Sequence, residues 1–191
     1  MAFYGAKKIR FAPITADTDA SKYPTYSAAA SLGALVAVTD AISYAEANNY
    51  GDNELQETAS EFQSLTVDVE VTELPSEQAA VVYGATLTED GDLEYGGEDD
   101  APWGGLAFYT NKQVKKDGVQ KKFYQGIFYP KVKGSRQGTT YNTKGQSITF
   151  ANGKAHFVGT TCAKGKHQVF SKNFETEQEA EAWCAKWFGT T

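Results

Sequence analysis

Residues 64–75, SLTVDVEVTELP, alternate apolar and polar positions. The apolar positions are Leu65, Val67, Val69 and Val71, and threonine or carboxylate side chains stand between them. A period of two is typical of a strand that has one face against a core and the other in water. We therefore predict a strand over residues 64–74.

The stretch that follows, PSEQAAVVYG, predicts a short helix over residues 75–83. Pro75 suits the first helical turn, and Glu77 lies near the positive end of the helix dipole. Gly84 suits the C-terminal cap. A helix of two turns is not stable alone, so we expect it to pack on the sheet.

The N-terminal third predicts a strand at residues 6–14, a small polar loop at 15–31 and an apolar strand at 33–47. Residues 48–62 are polar and acidic and show no period. A polar segment of this length inside a compact domain is uncommon unless it has a function or is disordered. We therefore expect residues 48–62 either to have a function or to be disordered.

Three turn dipeptides indicate hairpins in the second half of the chain. Asp-Gly and Asn-Gly accept the positive φ angles of a type I′ turn. The predicted hairpins span residues 85–95, 106–132 and 147–159. Their turns are placed at Asp90-Gly91, Asp117-Gly118 and Asn152-Gly153.

The C-terminal stretch predicts an amphipathic helix at about 176–188. Thr176 and Glu179 have the spacing of a capping box. One apolar stripe follows at helical spacing: Ala180, Trp183, Cys184, Trp187 and Phe188. Trp183, Trp187 and Phe188 are predicted to pack the helix, either on its own sheet or on a neighbouring subunit.

These elements predict a mainly β protein with eight or more strands and two short helices, forming a single domain over residues 1–191. The chain is 41% hydrophobic and 13% aromatic, which is typical of a folded protein. A net charge of −6 disfavours a nucleic-acid binder, which needs a basic footprint. The N-terminus lacks the apolar run of a signal peptide, and no stretch reaches the roughly 20 apolar residues of a membrane helix, so we expect a soluble protein made in a cytoplasm.

The chain offers little that could form a catalytic or metal site. Its two cysteines, Cys162 and Cys184, do not form a CxxC pair, and its two histidines, His156 and His167, have no partner at metal-ligand spacing. The acidic run 88–100 lacks EF-hand spacing, and the lysines of 115–122 surround a hairpin tip. We expect no enzyme activity, cofactor or metal, although a Cys162/His167 nucleophile pair is conceivable.

Aromatic residues in the hairpins leave one alternative function open. Trp103, Tyr124, Phe128 and Tyr129 could line a sugar-binding surface. They alternate on predicted strands, where packing in a core is the default. A carbohydrate- or surface-binding β-sandwich is therefore the alternative to a structural protein.

Residues 50–84 resemble the major tail protein family of long-tailed bacteriophages (siphoviruses), the subunits of the tail tube. The similarity lies in an acidic Y-x-D segment, an E-x-A-x-E-F run, the alternating strand and a short helix closed by glycine. The matching residues are Tyr50, Asp52, Glu57, Ala59, Glu61, Phe62, Leu74, Pro75 and Gly84. Similar patterns continue at 99–110, 121–132 and 143–160, and the C-terminal helix departs from the family.

The resemblance implies two packed antiparallel sheets flanked by a helix, a β-sandwich or barrel-like fold. It implies a virion protein, assembled in the host cytoplasm, whose hexameric rings stack into the tail tube. DNA would pass through the lumen without specific binding, and the further partners would be the tape-measure, tail-terminator and baseplate or distal tail proteins. The resemblance also implies a long inter-strand loop or arm at about 44–63 that contacts a neighbouring subunit or ring. This arm would carry Tyr44, Tyr50, Asp52, Glu57, Glu61 and Phe62.

Overall fold

The computed structural model describes residues 2–51, 54–116, 119–138, 143 and 151–189. Within these residues the strands are β1 (Ala2–Ala16), β2 (Thr25–Tyr26), β3 (Ala30–Ser31), β4 (Leu35–Gly51), β5 (Glu54–Val71), β6 (Thr86–Leu87), β7 (Leu93–Glu94), β8 (Trp103–Lys116), β9 (Val119–Ser135), β10 (Gly153–Gly159) and β11 (Val169–Phe170). The helices are α1 (Ser76–Tyr83) and α2 (Glu177–Ala185).

Most strands belong to one antiparallel sheet of nine strands. Its order is β2-β1-β8-β9-β10-β5-β4, with β3 paired to β1 and β11 paired to β9. Strands β6 and β7 form a second antiparallel sheet of two strands. Strands β1 and β4 come into contact, so the large sheet curls until its two ends approach each other. The predicted mainly β fold, with antiparallel sheets and two short helices, is confirmed.

The inner face of the curled sheet holds the larger apolar core. Leu65, Val67, Val69 and Val71 are all buried there, so the alternation of this stretch has the predicted meaning. Strand β5 begins earlier than predicted, at Glu54, and ends at Val71. Burial of these side chains stabilises the fold by roughly 1.5–3 kcal/mol each.

Helix α1 closes one side of this core. It spans Ser76–Tyr83, with Pro75 as the N-cap residue and Gly84 in the left-handed conformation at φ 69°, which confirms the predicted helix. Val82 is fully buried, and its carbonyl lies where a side chain at Gly134 of β9 would stand. The glycine therefore lets the short helix pack closely on the sheet.

The outer face of the sheet carries a second apolar cluster, which α2 covers. Tyr109 of β8 and Phe128 of β9 are fully buried in this cluster. Their neighbours Phe108 and Tyr129 point to the inner core. Strands β8 and β9 are thus buried on both faces, which explains their continuous run of large side chains.

The prediction of an inter-strand loop at about 44–63 is wrong, because the described residues of this segment form strands. Strands β4 and β5 continue their antiparallel pairing through it, from Tyr44↔Phe62 to Gly51↔Glu54. The segment is the outer half of one long hairpin. Both faces of that ribbon meet solvent, so its residues need no apolar alternation, and the signal that predicts strands is absent there.

The three predicted hairpins have different outcomes. Strands β6 and β7 form the first, but only Gly91 of its turn has a positive φ, at 88°, so the turn is not type I′. Strands β8 and β9 form the second, and its turn dipeptide lies outside the described residues. In the third, Gly153 has no positive φ and begins β10 by pairing with Val71. Residues 147–150 of the other predicted strand lie outside the described part.

Candidate assembly surface

The outer half of the β4–β5 hairpin is exposed at every position whose side chain the structure describes. We name residues 45–61 the acidic arm; residues 52 and 53 within it lie outside the described part of the chain. Every side chain described in the arm is exposed. Among the described residues no third strand pairs with the arm, because β10 ends at Gly159, opposite Leu65. From Tyr44 to Gly51 the ribbon extends about 23 Å at the usual rise of a strand.

An aromatic stack holds the base of the acidic arm against the body. Phe62 lies on His167 with ring centroids 4.3 Å apart and planes 10° apart. Tyr44 is the cross-strand partner of Phe62, and the two rings are nearly perpendicular with centroids 6.4 Å apart. Burial lowers the pKa of His167 from its usual range, and the nearby Lys166 adds to the effect.

A polar cluster near this stack holds β4 in place. The Tyr129 hydroxyl donates to Asp40 Oδ2 at 3.1 Å, and Gln168 Nε2 donates to the same oxygen at 3.0 Å. Burial, together with the negative charge of the Asp40 carboxylate and the hydrogen bond that it accepts from the hydroxyl, raises the pKa of Tyr129 above its usual range. The cluster joins β4, β9 and the segment before β11, so the arm projects from a fixed base.

The residues predicted to form the arm have different positions in the structure. Tyr44 and Phe62 form its base, and Tyr44 is 50% exposed. Glu57 and Glu61 lie exposed on β5. Tyr50 is part of β4 with its side chain outside the described part, and Asp52 lies outside the described residues altogether.

Two strand edges are open for pairing. Strand β4 is the last in the strand order, and its outer edge pairs with no other strand of the described residues. Near the other end of the strand order, β1 pairs with β2 and β3 only from Arg10 onward, so residues 2–8 have an open outer edge in the described structure. Positive φ angles at Gly5 and Lys8 and two register shifts make that edge irregular.

A second long hairpin projects from the same end of the sheet. Strands β5 and β9 are both antiparallel to β10, so they run in the same direction. Each of them begins at the tip of its hairpin. We name residues 111–124 the lysine hairpin, because it carries Lys112, Lys115, Lys116, Lys121 and Lys122.

Charge along the chain is a signal that the sequence analysis missed. No Lys or Arg occurs between Lys22 and Lys112, whereas most of the 24 acidic residues lie in that interval. The acidic arm lies within this interval. The lysines of the lysine hairpin follow directly after it, in a part of the chain that is richer in Lys. Counting charge in windows along the chain identifies the contrast without a structure.

Helix α2 packs on its own sheet. Trp187 stacks on Phe128 with centroids 4.4 Å apart and planes 11° apart, and Phe188 meets Tyr26 edge to face. Trp183 lies over Gly126, where a side chain would collide with the indole. Trp187 and Phe188 lie just beyond the helix, which ends at Ala185 and not at the predicted position near 188.

The cysteines and histidines do not form a catalytic arrangement in the described residues. Cys162 is buried, and no hydrogen bond joins it to His167 in that part of the chain. Cys184 donates to the Phe108 carbonyl at 3.3 Å, and burial raises the pKa of its thiol to about 12. His156 Nδ1 lies 2.7 Å from Asp68 on the neighbouring strand.

The described residues hold neither a metal-binding cluster nor a membrane-spanning helix. No three His, Cys, Asp or Glu side chains gather there to hold a metal ion. No helix there has the length and apolar character to cross a bilayer.

The aromatic residues considered for sugar binding do not share one surface. Phe128 and Tyr129 are buried on opposite faces of the sheet. Trp103 is partly exposed with Lys131 over its ring, and Lys122 covers Tyr124. Two of the four therefore pack in cores, which weakens the alternative of a sugar platform.

No protein-family model matches the chain, and no curated protein matches it in sequence.

Proposed function

We propose that the protein is the subunit of a phage-type tail tube. In this proposal it is a structural virion protein whose rings, six subunits each, stack into a hollow tube that conducts DNA during ejection. Its further partners are the tape-measure, tail-terminator and baseplate proteins of the same tail. The resemblance of residues 50–84 suggested this function, and the acidic arm is the observation that carries it.

The arm supports the proposal because a free two-stranded ribbon is marginally stable in water. Its described side chains bury nothing within the subunit, while the stack of Phe62 on His167 fixes its direction. A ribbon that is held at the base and exposed along its length gains stability when another subunit covers it. Such a segment is expected in a protein that folds alone and completes its structure on assembly.

The open strand edges also support assembly. An edge strand presents unpaired N–H and C=O groups that pair readily with another chain. The open edges of β4 and β1 are different surfaces, so contact between them is heterologous, and such contacts generate rings when the rotation closes. The net charge of −6 suits a lumen that DNA must traverse without binding.

The experiment that tests the proposal is negative-stain electron microscopy of the purified protein at high concentration, with light scattering alongside. We expect hollow tubes or stacked rings. Deleting residues 48–60 should leave a folded monomer, because these residues lie in the exposed arm. Tube formation by the deletion variant, with a normal melting temperature, would show that the arm is not the assembly surface.

A further inference from the structure

We infer that the acidic arm of one copy binds the lysine hairpin of the next copy in the same ring, and that opposite charge selects this pairing. The inference rests on the proposed assembly and names the surface that receives the arm.

The first observation is the uncompensated negative charge of the arm. Glu46, Glu57 and Glu61 are exposed, and none of them forms a salt bridge within the described residues. The sequence adds Asp52 and Glu54 near the tip and no Lys or Arg. Two such arms repel each other, so the charge also disfavours arm-to-arm pairing.

The second observation is the uncompensated positive charge of the lysine hairpin. Lys115, Lys121 and Lys122 are exposed and form no salt bridge within the described part of the chain. Lys112 is only 8% exposed, and its Nζ donates to the neutral Gln125 Oε1 at 2.9 Å. The ring of Phe3 lies 5.2 Å from the same nitrogen. A buried ammonium group without a carboxylate is costly, and a carboxylate from a neighbouring subunit offsets this cost.

The third observation is the direction of the two hairpins, which decides between the same ring and the next ring. Both project from one end of the sheet, because β5 and β9 run the same way from their tips. When identical rings stack head to tail, these ends meet the opposite ends of the neighbouring subunits. A rotation about an axis along the hairpins instead sets the acidic arm of one copy beside the lysine hairpin of the next.

Strand directions are compatible with this arrangement. Strand β4 runs toward the tips and β1 runs away from them, because β1 is antiparallel to β8. The open edge of β4 in one copy therefore meets the open edge of β1 in the next as an antiparallel pair. Exposed Lys8 lies on that edge of β1, and β8, the next strand in the sheet, leads into the lysine hairpin.

The test uses two charge-reversed variants of the full chain. The arm-reversed variant carries Glu46→Lys, Glu57→Lys and Glu61→Lys. The hairpin-reversed variant carries Lys115→Glu, Lys121→Glu and Lys122→Glu. Juxtaposed like charges cost several kcal/mol, so we expect each variant alone to lose assembly at least about tenfold by light scattering and electron microscopy.

An equimolar mixture of the two variants should recover assembly. In a ring of alternating variants every reversed arm meets a reversed hairpin, and every unchanged arm meets an unchanged hairpin. Assembly of the unaltered protein should also weaken between low and high salt, since exposed charges are screened. A mixture that stays monomeric, although both variants keep their melting temperatures, would overturn the inference.

A matched control separates this pairing from general effects of charge. Glu89→Lys, Glu94→Lys and Glu98→Lys reverse three exposed charges near the β6–β7 hairpin, and this variant should assemble normally. If the reversed variants do not fold, the neutral set Glu46→Gln, Glu57→Gln and Glu61→Gln replaces them, with a smaller loss expected. Normal assembly of the arm-reversed or neutral variant refutes the inference and leaves the tube proposal intact, whereas failure of the unaltered protein to assemble refutes the tube proposal itself.

Discussion

The ring of Phe62 lies flat on the imidazole of His167, with centroids 4.3 Å apart, where the acidic arm leaves the body of the protein. Phe62 belongs to β5 and His167 to the segment before β11, so the contact joins parts of the chain that are distant in sequence. A register shift between Ser43 and Tyr44 turns Phe62 to the same side as buried Leu65. The direction of the arm thus depends on one bulge and one stack.

The first prediction concerns pH. Burial lowers the pKa of His167, so the unfolded chain takes up a proton there more readily than the folded protein does. Stability should be unaffected by this group above about pH 6.5, the usual pKa, and should fall as the pH drops below it. His167→Phe keeps a flat ring and removes the titration, so its urea midpoint should change less between pH 7.5 and 5.5 than that of the unaltered protein. The carboxylates are the same in both proteins, so their contribution to the change in urea midpoint cancels in the comparison. An identical decrease of the midpoint in both proteins would contradict the prediction.

The second prediction concerns the anchor of the arm. Phe62→Ala removes a partly buried ring, and we expect the free energy of unfolding to fall by about 2 kcal/mol, less than for a fully buried phenylalanine. Backbone amides of the arm should also exchange faster with deuterated solvent, because the ribbon loses its fixed base. Thr58→Ala, an exposed position in the arm, is the matched control and should change stability by less than about 0.5 kcal/mol. Equal effects of both substitutions would show that the stack does not hold the arm.

The third prediction concerns the contact of the C-terminal region with the sheet. A methyl group at Gly126 would overlap the indole of Trp183, so Gly126→Ala should destabilise the protein by about 1–3 kcal/mol. Tryptophan fluorescence, to which Trp183 contributes as one of three tryptophans, should shift to longer wavelength as the Trp183 ring moves toward solvent. Gly97→Ala is the control, because no atom lies within 4 Å of a side chain there. An unchanged melting temperature of the Gly126 variant would argue against this packing.

The fourth prediction concerns the start of α2. Thr176 Oγ1 accepts from the Glu179 N–H, and Glu179 Oε2 accepts from the Thr176 N–H at 3.2 Å, a complete capping box. Hydrogen bonds from Thr176 lower the pKa of the Glu179 carboxyl. Thr176→Ala should lower the free energy of unfolding by about 1 kcal/mol, whereas Thr176→Ser should retain most of it. Chemical denaturation of the three proteins decides this, and equal losses in both variants would exclude the cap as the cause.

Local patterns determined several elements by themselves. The alternation at 65–71 places four side chains on one face of any strand, and burying that face requires a core. Pro75 and Gly84 mark the ends of α1 because one lacks an amide hydrogen and the other adopts a positive φ without strain. Thr176 and Glu179 mark the start of α2 for an equally local reason.

Other features depended on contacts that no local pattern encodes. The strands of the acidic arm have no alternation because both faces are wet, so only the register from Tyr44↔Phe62 outward shows that they are strands. The dipeptide Asn152-Gly153 permits a tight turn. In the structure, however, Gly153 pairs with Val71 and is the first residue of β10. The placement of acidic and basic hairpins at one end of the sheet follows from strand order. The sequence by itself determined which faces must be buried, where α1 begins and ends and where α2 begins, because those properties arise within a few residues. The tertiary structure decided which surfaces remain open, because exposure depends on what the rest of the chain covers.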